Sequence, residues 1–214
     1  MDLKKNTQKF EVNKQGLKLT KYQHEVLVGT LLGDSHLCLG KTNRNYSLRI
    51  LHGYSQKIYT DWLYVVFQDW ATTPPKIKNQ MTKGKMYQKY WFNTISHESL
   101  NFYGQQFYVD RKKIVPELIH EWLTPLALAV WFMDDGSIKS KFHRALILNT
   151  QSYSDLDLYK LQNSLWKRYG ISTILRNQKE GKQIYILAVT VQRFVNIIRP
   201  YILPEMEYKL GKLR

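Results

Sequence analysis

Two apolar segments of this sequence, about a hundred residues apart, each end abruptly in acidic residues. The first, Val26–Ser35, reads VLVGTLLGDS, and the second, Pro125–Gly136, reads PLALAVWFMDDG. Continuous apolar runs of this kind predict buried helices, and the proline suits the first turn of the second one. An acid at the C-terminal end of a helix opposes the helix dipole and costs roughly 0.3–1 kcal/mol. The placement of these acids therefore requires a functional explanation.

Helical and alternating patterns predict the same order of elements in both halves of the chain. In the first half, we predict helices over about residues 21–33, 55–70 and 97–108 and strands over 35–40, 45–52, 76–80 and 85–93. In the second half, the predicted helices cover about 125–133, 155–169 and 191–199, and the predicted strands cover 137–142, 145–151, 171–177 and 183–189. The side chains expected to cap three of these helices belong to Thr20, Thr124 and Ser154.

Two landmarks indicate that the second half is a duplicate of the first. Aligning Asp34 with Asp135 gives an offset of 101 residues (135 − 34), and aligning the hairpin glycines Gly84 and Gly181 gives 97 (181 − 84). We therefore divide the chain into a basic N-terminal arm (1–19), a first half (20–110), a connecting segment (111–124) and a second half (125–214). Because no Gly/Ser-rich linker separates the halves, we expect them to pack together as one body.

Composition narrows the partner to a polyanion. The 214 residues carry a formal net charge of +15, and aromatic residues make up 14% of the chain, a combination typical of nucleic-acid binding. Cys38 is the single cysteine, which excludes an intramolecular disulfide and a cysteine zinc site and suits a reducing compartment. The N-terminus has no signal-peptide h-region, and no apolar run is long enough to span a membrane.

The predicted strands of both halves carry polar and basic side chains at alternating positions, which makes them a poor core. Lys76, Lys78 and Gln80 share one strand face, and Lys85, Tyr87 and Lys89 share another. Such faces suit phosphates and base edges, although a solvated surface is the ordinary alternative for any single lysine. The full set of candidate DNA-binding residues is Lys41, Arg44, Arg49, Lys76, Lys78, Gln80, Lys85, Tyr87, Lys89, Lys139, Lys141, Arg144, Arg176, Gln178, Lys182, Gln183 and Tyr185.

The small residues of the first apolar helix suggest how the two acids meet. Gly29 and Gly33 lie four residues apart on one helix face, which favours close approach of a second helix. If the two apolar helices pack side by side, Asp34 and Asp135 converge, and carboxylates about 4 Å apart repel by roughly 4 kcal/mol at an effective dielectric constant near 20. A hard divalent cation such as Mg²⁺ relieves this repulsion and suits oxygen ligands. Val130 is larger than this packing predicts.

The two motifs, LVGTLLGDS at 27–35 and LAVWFMDDG at 128–136, resemble those of single-chain LAGLIDADG homing endonucleases. The similarity is greatest to the monomeric mitochondrial group-I-intron enzymes, in the segments TPLALAVWFMDDG, LNTQSYS and YILPEMEYKL. The first motif has Ser35 where the family often has glycine, and the second has Val130 where a small residue is usual. The resemblance implies an α+β fold of two pseudosymmetric αββαββα halves, with saddle-shaped antiparallel sheets and a central two-helix interface.

The resemblance also assigns roles to site residues. It implies that Asp34 and Asp135 bind divalent ions, helped by the backbone carbonyls of Gly33 and Asp134, with Asp134 contributing only its carbonyl. Mg²⁺ is the expected ion, with Mn²⁺ able to substitute and Ca²⁺ binding without supporting cleavage. Two further pairs of side chains are carried over by position: Lys113 and Lys209 as catalytic residues that polarise the phosphate or organise water, and His52 and Gln151 as residues that position solvent.

The expected function is a double-strand break in a long asymmetric DNA target, made by a monomeric, intron-encoded enzyme that hydrolyses phosphodiester bonds. Two alternatives share the fold. One is an intron RNA maturase, which assists splicing, and the other is a DNA-binding regulator that does not cleave. The two intact acids count against a maturase that has lost cleavage and against the regulator, while a dual role in cleavage and splicing stays open. An organellar gene, mitochondrial or chloroplast, is expected from the resemblance, while the compartment itself is not read from the sequence.

Overall fold

The computed structural model describes residues 16–40, 44–82, 84–140 and 143–213. Most of the predicted arm, Lys41 and Lys141 lie outside the described residues, as does the side chain of Arg144. Among the described residues, no helix is both long and apolar enough to cross a membrane.

The first half follows the predicted order of seven elements. Thr20 caps the first helix through a capping box with Gln23, as its sequence predicts. The elements are helix α1 (Lys21–Leu32), strands β1 (His36–Leu39) and β2 (Tyr46–Gly53), helix α2 (Lys57–Val66), strands β3 (Lys76–Thr82) and β4 (Lys85–Asn93) and helix α3 (Asn101–Phe107). Helices α2 and α3 are shorter than predicted, because a 3-10 turn precedes each of them (Tyr54–Gln56 and Glu98–Leu100).

A short connection joins the halves. It contains the two-stranded hairpin β5 (Tyr108–Val109) and β6 (Lys112–Lys113), and then helix α4 (Ile119–Trp122). The predicted boundary between residues 110 and 111 falls in the turn of this hairpin, where Asp110 and Arg111 have φ angles of 48° and 63°. The hairpin places Lys113 next to the end of α1, so the connection contributes to the site.

The second half repeats the arrangement. Its elements are helix α5 (Pro125–Asp135), strands β7 (Gly136–Ser140) and β8 (His143–Leu148), helix α6 (Asp155–Tyr169), strands β9 (Thr173–Gln178) and β10 (Gly181–Ile186) and helix α7 (Ala188–Ile198), followed by the 3-10 segments Arg199–Tyr201 and Pro204–Leu213. Thr124 and Ser154 cap α5 and α6, as predicted. The strands start and end up to three residues from their predicted limits, because hairpin register decides which residues pair.

The sheets confirm the duplication. Both are antiparallel, with strand order β1-β2-β4-β3 in the first half and β7-β8-β10-β9 in the second. One face of each sheet packs on its helices through alternating apolar residues such as Leu48 and Ile50 in β2 and Leu146 and Leu148 in β8. The opposite faces remain open. The predicted α+β fold of two pseudosymmetric αββαββα halves is therefore confirmed.

Helices α1 and α5 form the interface between the halves. Every residue from Val26 to Leu32 and from Leu126 to Met133 is buried, so both helices are buried on all sides there. A Cβ atom added at Gly29 would lie 2.5 Å from the carbonyl oxygen of Ala127 and 2.6 Å from Cβ of Val130. Val130 therefore fits because the residue opposite has no side chain, which resolves the apparent conflict in the sequence.

Candidate active site and nucleic-acid interface

The ends of α1 and α5 bring Asp34 and Asp135 to the same region, as the alignment of the motifs predicts. The Asp34 side chain is 46% exposed, whereas Asp135 is half-buried. Burial raises the pKa of both carboxyl groups, and the neighbouring acids raise it further, so that the pKa of Asp135 reaches about 8. Acids whose ionisation is this costly are the environment in which a bound cation contributes most.

Two half-buried lysines hold the backbone at the helix ends. Nζ of Lys113 donates hydrogen bonds to the carbonyl oxygens of Gly33 (2.9 Å) and Ser35 (2.8 Å). Nζ of Lys209 donates to the carbonyl oxygens of Met133 and Asp134, the latter at 2.8 Å. Burial lowers the pKa of both lysines, and the nearby aspartates oppose that shift. The structure thus brings both predicted lysines to the predicted acids, in equivalent positions.

The expectation that Asp134 contributes only its carbonyl is wrong, because its side chain crosses the interface between the halves. Asp134 is 7% exposed, and its Oδ2 accepts hydrogen bonds from Oγ1 of Thr30 (2.9 Å) and from the backbone N–H of Asp34 (3.3 Å). A Cβ atom added at Gly33 would lie 2.4 Å from Cβ of Asp134. The glycine at that point of the first motif therefore leaves space for the acid from the second.

His52 lies beside Asp34 and Asp134, but Gln151 does not occupy the equivalent place beside Asp135 in the second half. Nε2 of His52 is 3.5 Å from Oδ1 of Asp134 and 3.9 Å from Oδ2 of Asp34. Gln151 is in the turn after β8, with its backbone against Gly181. Asn149 is the residue next to Asp135: its backbone N–H and its Nδ2 both donate to the Asp135 carbonyl oxygen, at 3.1 and 2.8 Å.

Several polar residues around this centre escaped sequence reasoning. Ser35 is fully buried and its Oγ is 2.7 Å from Oγ1 of Thr30, while Tyr59 is a buried phenol beside His52, with ring centroids 5.1 Å apart. Thr60 contacts the other nitrogen of the His52 ring at 3.1 Å. Thr30 could have been found from the sequence, because it is a polar residue within the apolar run Val26–Leu32. Tyr59 and Thr60 gave no such signal, since they lie on the amphipathic helix α2.

The residues present suit a divalent cation. Asp34, His52 and Asp134 each offer one ligand atom, and these atoms lie within 4.8 Å of one another. Asp135 adds a further carboxylate with a raised pKa. Within the described residues, Oδ1 of Asp134 has no hydrogen-bond partner although it is buried. Carboxylate oxygens and an unpartnered buried acceptor form a donor set that hard or borderline divalent ions bind.

The open sheet face of the first half is basic, as predicted. The strand register places Lys78 opposite Lys89, Gln80 opposite Tyr87 and Lys76 opposite Trp91. Arg49 of β2 lies on the same open side, with its Nε bonded to Oδ1 of Asn93. Lysines directly opposite one another are destabilising unless an anion lies over them. Lys85 and Arg44 are also exposed.

In the second half, the structure changes two of the predicted DNA contacts, those of Lys182 and Tyr185. Lys182 lies on the core side of β10, on the same strand face as Ile184 and Ile186. Its Nζ pairs with Asp155 at 2.7 Å. Its predicted role in DNA binding is wrong because the alternation of the strand turns it away from the open face.

Tyr185 lies on the open side of the same strand but is only 7% exposed, because the Arg176 guanidinium covers its ring at 4.3 Å. Arg176 is therefore the group that this pair offers to a ligand. Gln178 is exposed nearby, Lys139 is half-buried, and Nε2 of Gln183 donates to Oδ1 of Asn149 at 2.6 Å.

The chain thus has two pseudosymmetric halves, with acids at the shared helix interface and basic residues on the open sheet faces. A protein of known structure has a similar fold. A homing endonuclease, I-WcaI, solved bound to its DNA recognition sequence, superposes with a TM-score of 0.87 and 29% sequence identity, covering 94% of this chain and 91% of that one. The sequence pattern of the LAGLIDADG DNA endonuclease family matches residues 24–195. This chain belongs to that family.

Two relatives in sequence come from yeasts. One is a probable intron-encoded endonuclease of Wickerhamomyces canadensis, 31% identical over 208 residues, which cover 94% of this chain and 88% of that protein. The other is the cytochrome b mRNA maturase bI2 of Saccharomyces cerevisiae, 32% identical over 199 residues, which cover 87% of this chain and 46% of the maturase.

Proposed function

We propose that this protein is a site-specific DNA endonuclease that hydrolyses both strands of a long target with the help of a divalent metal ion. The observation that carries the proposal is the convergence of Asp34 and Asp135 at the α1–α5 interface, each beside a lysine fixed to its helix end. Two equivalent carboxylate–lysine sets suit two equivalent strands of a duplex. The structural similarity to a DNA-bound homing endonuclease supports this reading.

Asp34 and Asp135 are the residues that would hold the ion, with the carbonyl oxygens of Gly33 and Asp134 available through the lone pairs that the lysines leave. Such an ion supplies a bound water of lowered pKa and stabilises the charge that develops during displacement at phosphorus. We propose Mg²⁺, with Mn²⁺ as a substitute and Ca²⁺ as an ion that binds without supporting cleavage. The high pKa of Asp135 makes its negative charge costly without a cation.

Lys113 and Lys209 act on the phosphate in this proposal. An ammonium group has three N–H donors, and each lysine uses two of them on backbone carbonyls. The third donor remains for a phosphate oxygen. Because both lysines are anchored and half-buried, they meet the developing charge without reorganising, which is the arrangement that stabilises a transition state most effectively.

The open sheet faces are the proposed DNA-binding surface. Lys76, Lys78, Lys89 and Arg49 provide positive charge in the first half, and Arg176 provides it in the second, with Gln80, Tyr87, Gln178 and Gln183 able to read base edges. The major groove of B-DNA, about 12 Å wide, admits a two-stranded β-ribbon such as the exposed β3–β4 hairpin. We propose that the protein acts as a monomer, since one chain already holds both halves.

The test is cleavage selection on a randomised duplex library. With Mg²⁺ we expect a single long consensus cut on both strands, and with Ca²⁺ we expect binding of the same sequences without cleavage. The variant Asp34→Asn/Asp135→Asn serves as the control, and it should bind the selected duplex while leaving it intact. Cleavage that survives both substitutions would falsify the proposed chemistry.

A maturase activity is the second candidate, and the 32% identity to the bI2 maturase is the observation in its favour. This activity would use intron RNA as the partner, in place of or beside DNA. A splicing assay with the host intron transcript tests it, using the same double variant. Splicing that depends on the protein but not on Asp34 and Asp135 would establish a separate RNA function. The name of the Wickerhamomyces canadensis relative, a probable intron-encoded endonuclease, supports an origin in an intron.

A further inference from the structure

Two buried polar atoms next to Asp34 face each other without a hydrogen bond. Nε2 of His52 and Oδ1 of Asp134 are 3.5 Å apart, His52 is 2% exposed, and the Asp134 side chain is fully buried. Among the described residues, neither atom has a hydrogen-bond partner. Buried polar groups are nearly always satisfied, and an unsatisfied one destabilises the folded protein. The buried hydroxyl of Tyr59, which also interacts with Asp134, is unpartnered as well, so the described side chains at this centre do not satisfy one another.

The tautomer of His52 shows what kind of atom Nε2 is. Oγ1 of Thr60 donates its single hydrogen to the carbonyl oxygen of Gln56 (3.2 Å), so it accepts from Nδ1–H of His52 (3.1 Å). The neutral His52 ring then presents a lone pair at Nε2, directed at a carboxylate oxygen. The Nε2 lone pair and the carboxylate oxygen are thus two donor atoms 3.5 Å apart that one cation can bind together.

The orientation of both side chains is fixed from behind. Oδ2 of Asp134 is held by the Thr30 hydroxyl and the Asp34 backbone N–H, which leaves Oδ1 directed at His52. A histidine whose second nitrogen donates a hydrogen bond is the usual form of a metal ligand. Oδ2 of Asp34 lies 3.9 Å from Nε2 of His52 and supplies a third ligand atom.

The second half has no counterpart of this arrangement. Gly33 stands where the second motif has Asp134. In the strands, Leu37 pairs with Leu48 and Ile138 pairs with Leu146, so Thr150 occupies the place of His52, four residues further along. Thr150 already bonds the carbonyl oxygen of Lys182 (3.0 Å) and the N–H of Ile184 (3.1 Å). The unpartnered pair is thus specific to the Asp34 side of the centre.

We propose that His52, Asp134 and Asp34 form a cation subsite with mixed nitrogen and oxygen ligands, specific for a divalent transition metal such as Mn²⁺ or Zn²⁺. Ligands about 2.0–2.2 Å from a tetrahedral ion are separated by about 3.3–3.6 Å, close to the His52–Asp134 spacing. Imidazole nitrogen favours transition metals over Mg²⁺ and Ca²⁺. The subsite rests on the proposed function only in sharing Asp34.

The decisive experiment detects the nitrogen ligand itself. Mn²⁺ is added to the full-length protein without DNA, and pulsed electron paramagnetic resonance records whether the bound ion couples to a ¹⁴N nucleus. We expect a directly bound imidazole signal in the wild type and in His36→Gln, a nearby histidine on β1 that serves as the matched control. We expect the signal to disappear in His52→Gln and Mn²⁺ affinity to fall at least about tenfold in Asp134→Asn.

The outcomes separate this subsite from the proposed cleavage activity. Asp135→Asn should lower double-strand cleavage roughly 10³-fold and keep the ¹⁴N signal, because Asp135 is not one of the three ligands. Bound Mn²⁺ without ¹⁴N coupling, no Mn²⁺ binding at millimolar concentration, or a signal that persists in His52→Gln would each overturn the proposal. The first two outcomes are measured on the wild-type protein, so they test the proposed subsite even if a variant misfolds.

Discussion

At the end of α1 the residue before the aligned aspartate is Gly33, whereas at the end of α5 it is Asp134. Both positions have the same backbone role, since each carbonyl accepts a hydrogen bond from a lysine. Their side chains differ because only one acid fits between the helices: Asp134 occupies the space that Gly33 leaves. The comparison teaches that a duplicated unit keeps its backbone chemistry twice but divides its interface chemistry between the copies.

The same division occurs one helical turn earlier. Gly29 of α1 faces Val130 of α5, and the missing side chain on one helix accommodates the larger one on the other. Packing across the interface is therefore asymmetric at two successive helical turns, at the pairs Gly29–Val130 and Gly33–Asp134. Predictions that treat the halves as equal and predictions that treat them as different can be tested separately.

The largest expected effect concerns the two acids, where the halves should act alike. Asp34→Asn and Asp135→Asn should each lower double-strand cleavage roughly 10³-fold, since a metal ion supplies several kcal/mol of transition-state stabilisation. Because each acid belongs to one half, the residual nicks should fall mainly on opposite strands in the two variants. A duplex labelled separately on each strand measures this. The same residual nicking pattern in both variants would contradict one acid per strand.

The lysines provide the next comparison. Lys113→Met and Lys209→Met should each lower the cleavage rate roughly 10²-fold, because each removes a fixed donor for phosphate charge. Single-turnover cleavage with saturating protein measures the effect without a contribution from binding. Lys112→Met is the matched control, since Lys112 is the exposed neighbour of Lys113 on β6, and it should cleave at the wild-type rate.

The asymmetric packing between α1 and α5 can be tested by changing Gly29 alone. Gly29→Ala places a Cβ atom against the Ala127 carbonyl oxygen and Val130, and we expect a loss of about 1–3 kcal/mol in the free energy of unfolding. Adding Val130→Gly should recover part of that loss through the contact that the two positions share. Urea unfolding of both single variants and the double variant measures the coupling. Strict additivity would show that the two residues do not compete for space.

Folding stability should respond to pH through Asp135 more than through Asp34. Folding raises the Asp135 pKa from 3.8 to about 8, so the neutral acid contributes stability that is complete below about pH 4 and lost as the pH rises through about 8. Asp135→Asn should therefore raise Tm at pH 9 by about 2–4 °C per kcal/mol of relieved strain and change it little at pH 4.

Asp34→Asn is the comparison for that measurement. Its carboxyl group is 46% exposed, so solvent screens its charge and the gain at pH 9 should be smaller. Differential scanning calorimetry in metal-free buffer gives both values. An Asp135→Asn protein less stable than the wild type at pH 9 would contradict the raised pKa.

The smallest effect distinguishes the open faces from the core side of the sheets. Lys78→Ala should reduce the slope of log K against log salt by about 1, as expected for one lost phosphate contact. Lys182→Ala should leave that slope unchanged, because Lys182 pairs with Asp155 behind the sheet. Fluorescence anisotropy at several salt concentrations measures both. Equal changes in the slope would mean that the sheet face does not determine contact.

Local patterns were sufficient to predict much of this fold. The period of apolar residues predicted the helices and strands, the caps Thr20, Thr124 and Ser154 followed from hydrogen-bonding side chains, and the repeat predicted that Asp34 and Asp135 are equivalent. Alternation along a strand also predicted that Lys76, Lys78 and Gln80 share a face, because that relation depends only on the backbone. These properties are local, so the order of residues determines them.

The tertiary structure decided the contacts between residues that are far apart in the chain. The side chain of Asp134 reaches Thr30 across 104 positions, and His52 meets Asp134 only because β2 runs beside the end of α1. Strand register, which depends on how hairpins close, turned Lys182 towards Asp155 and placed Arg176 over Tyr185. Sequence determined which residues carry the chemistry, while packing between the two halves decided which of them meet.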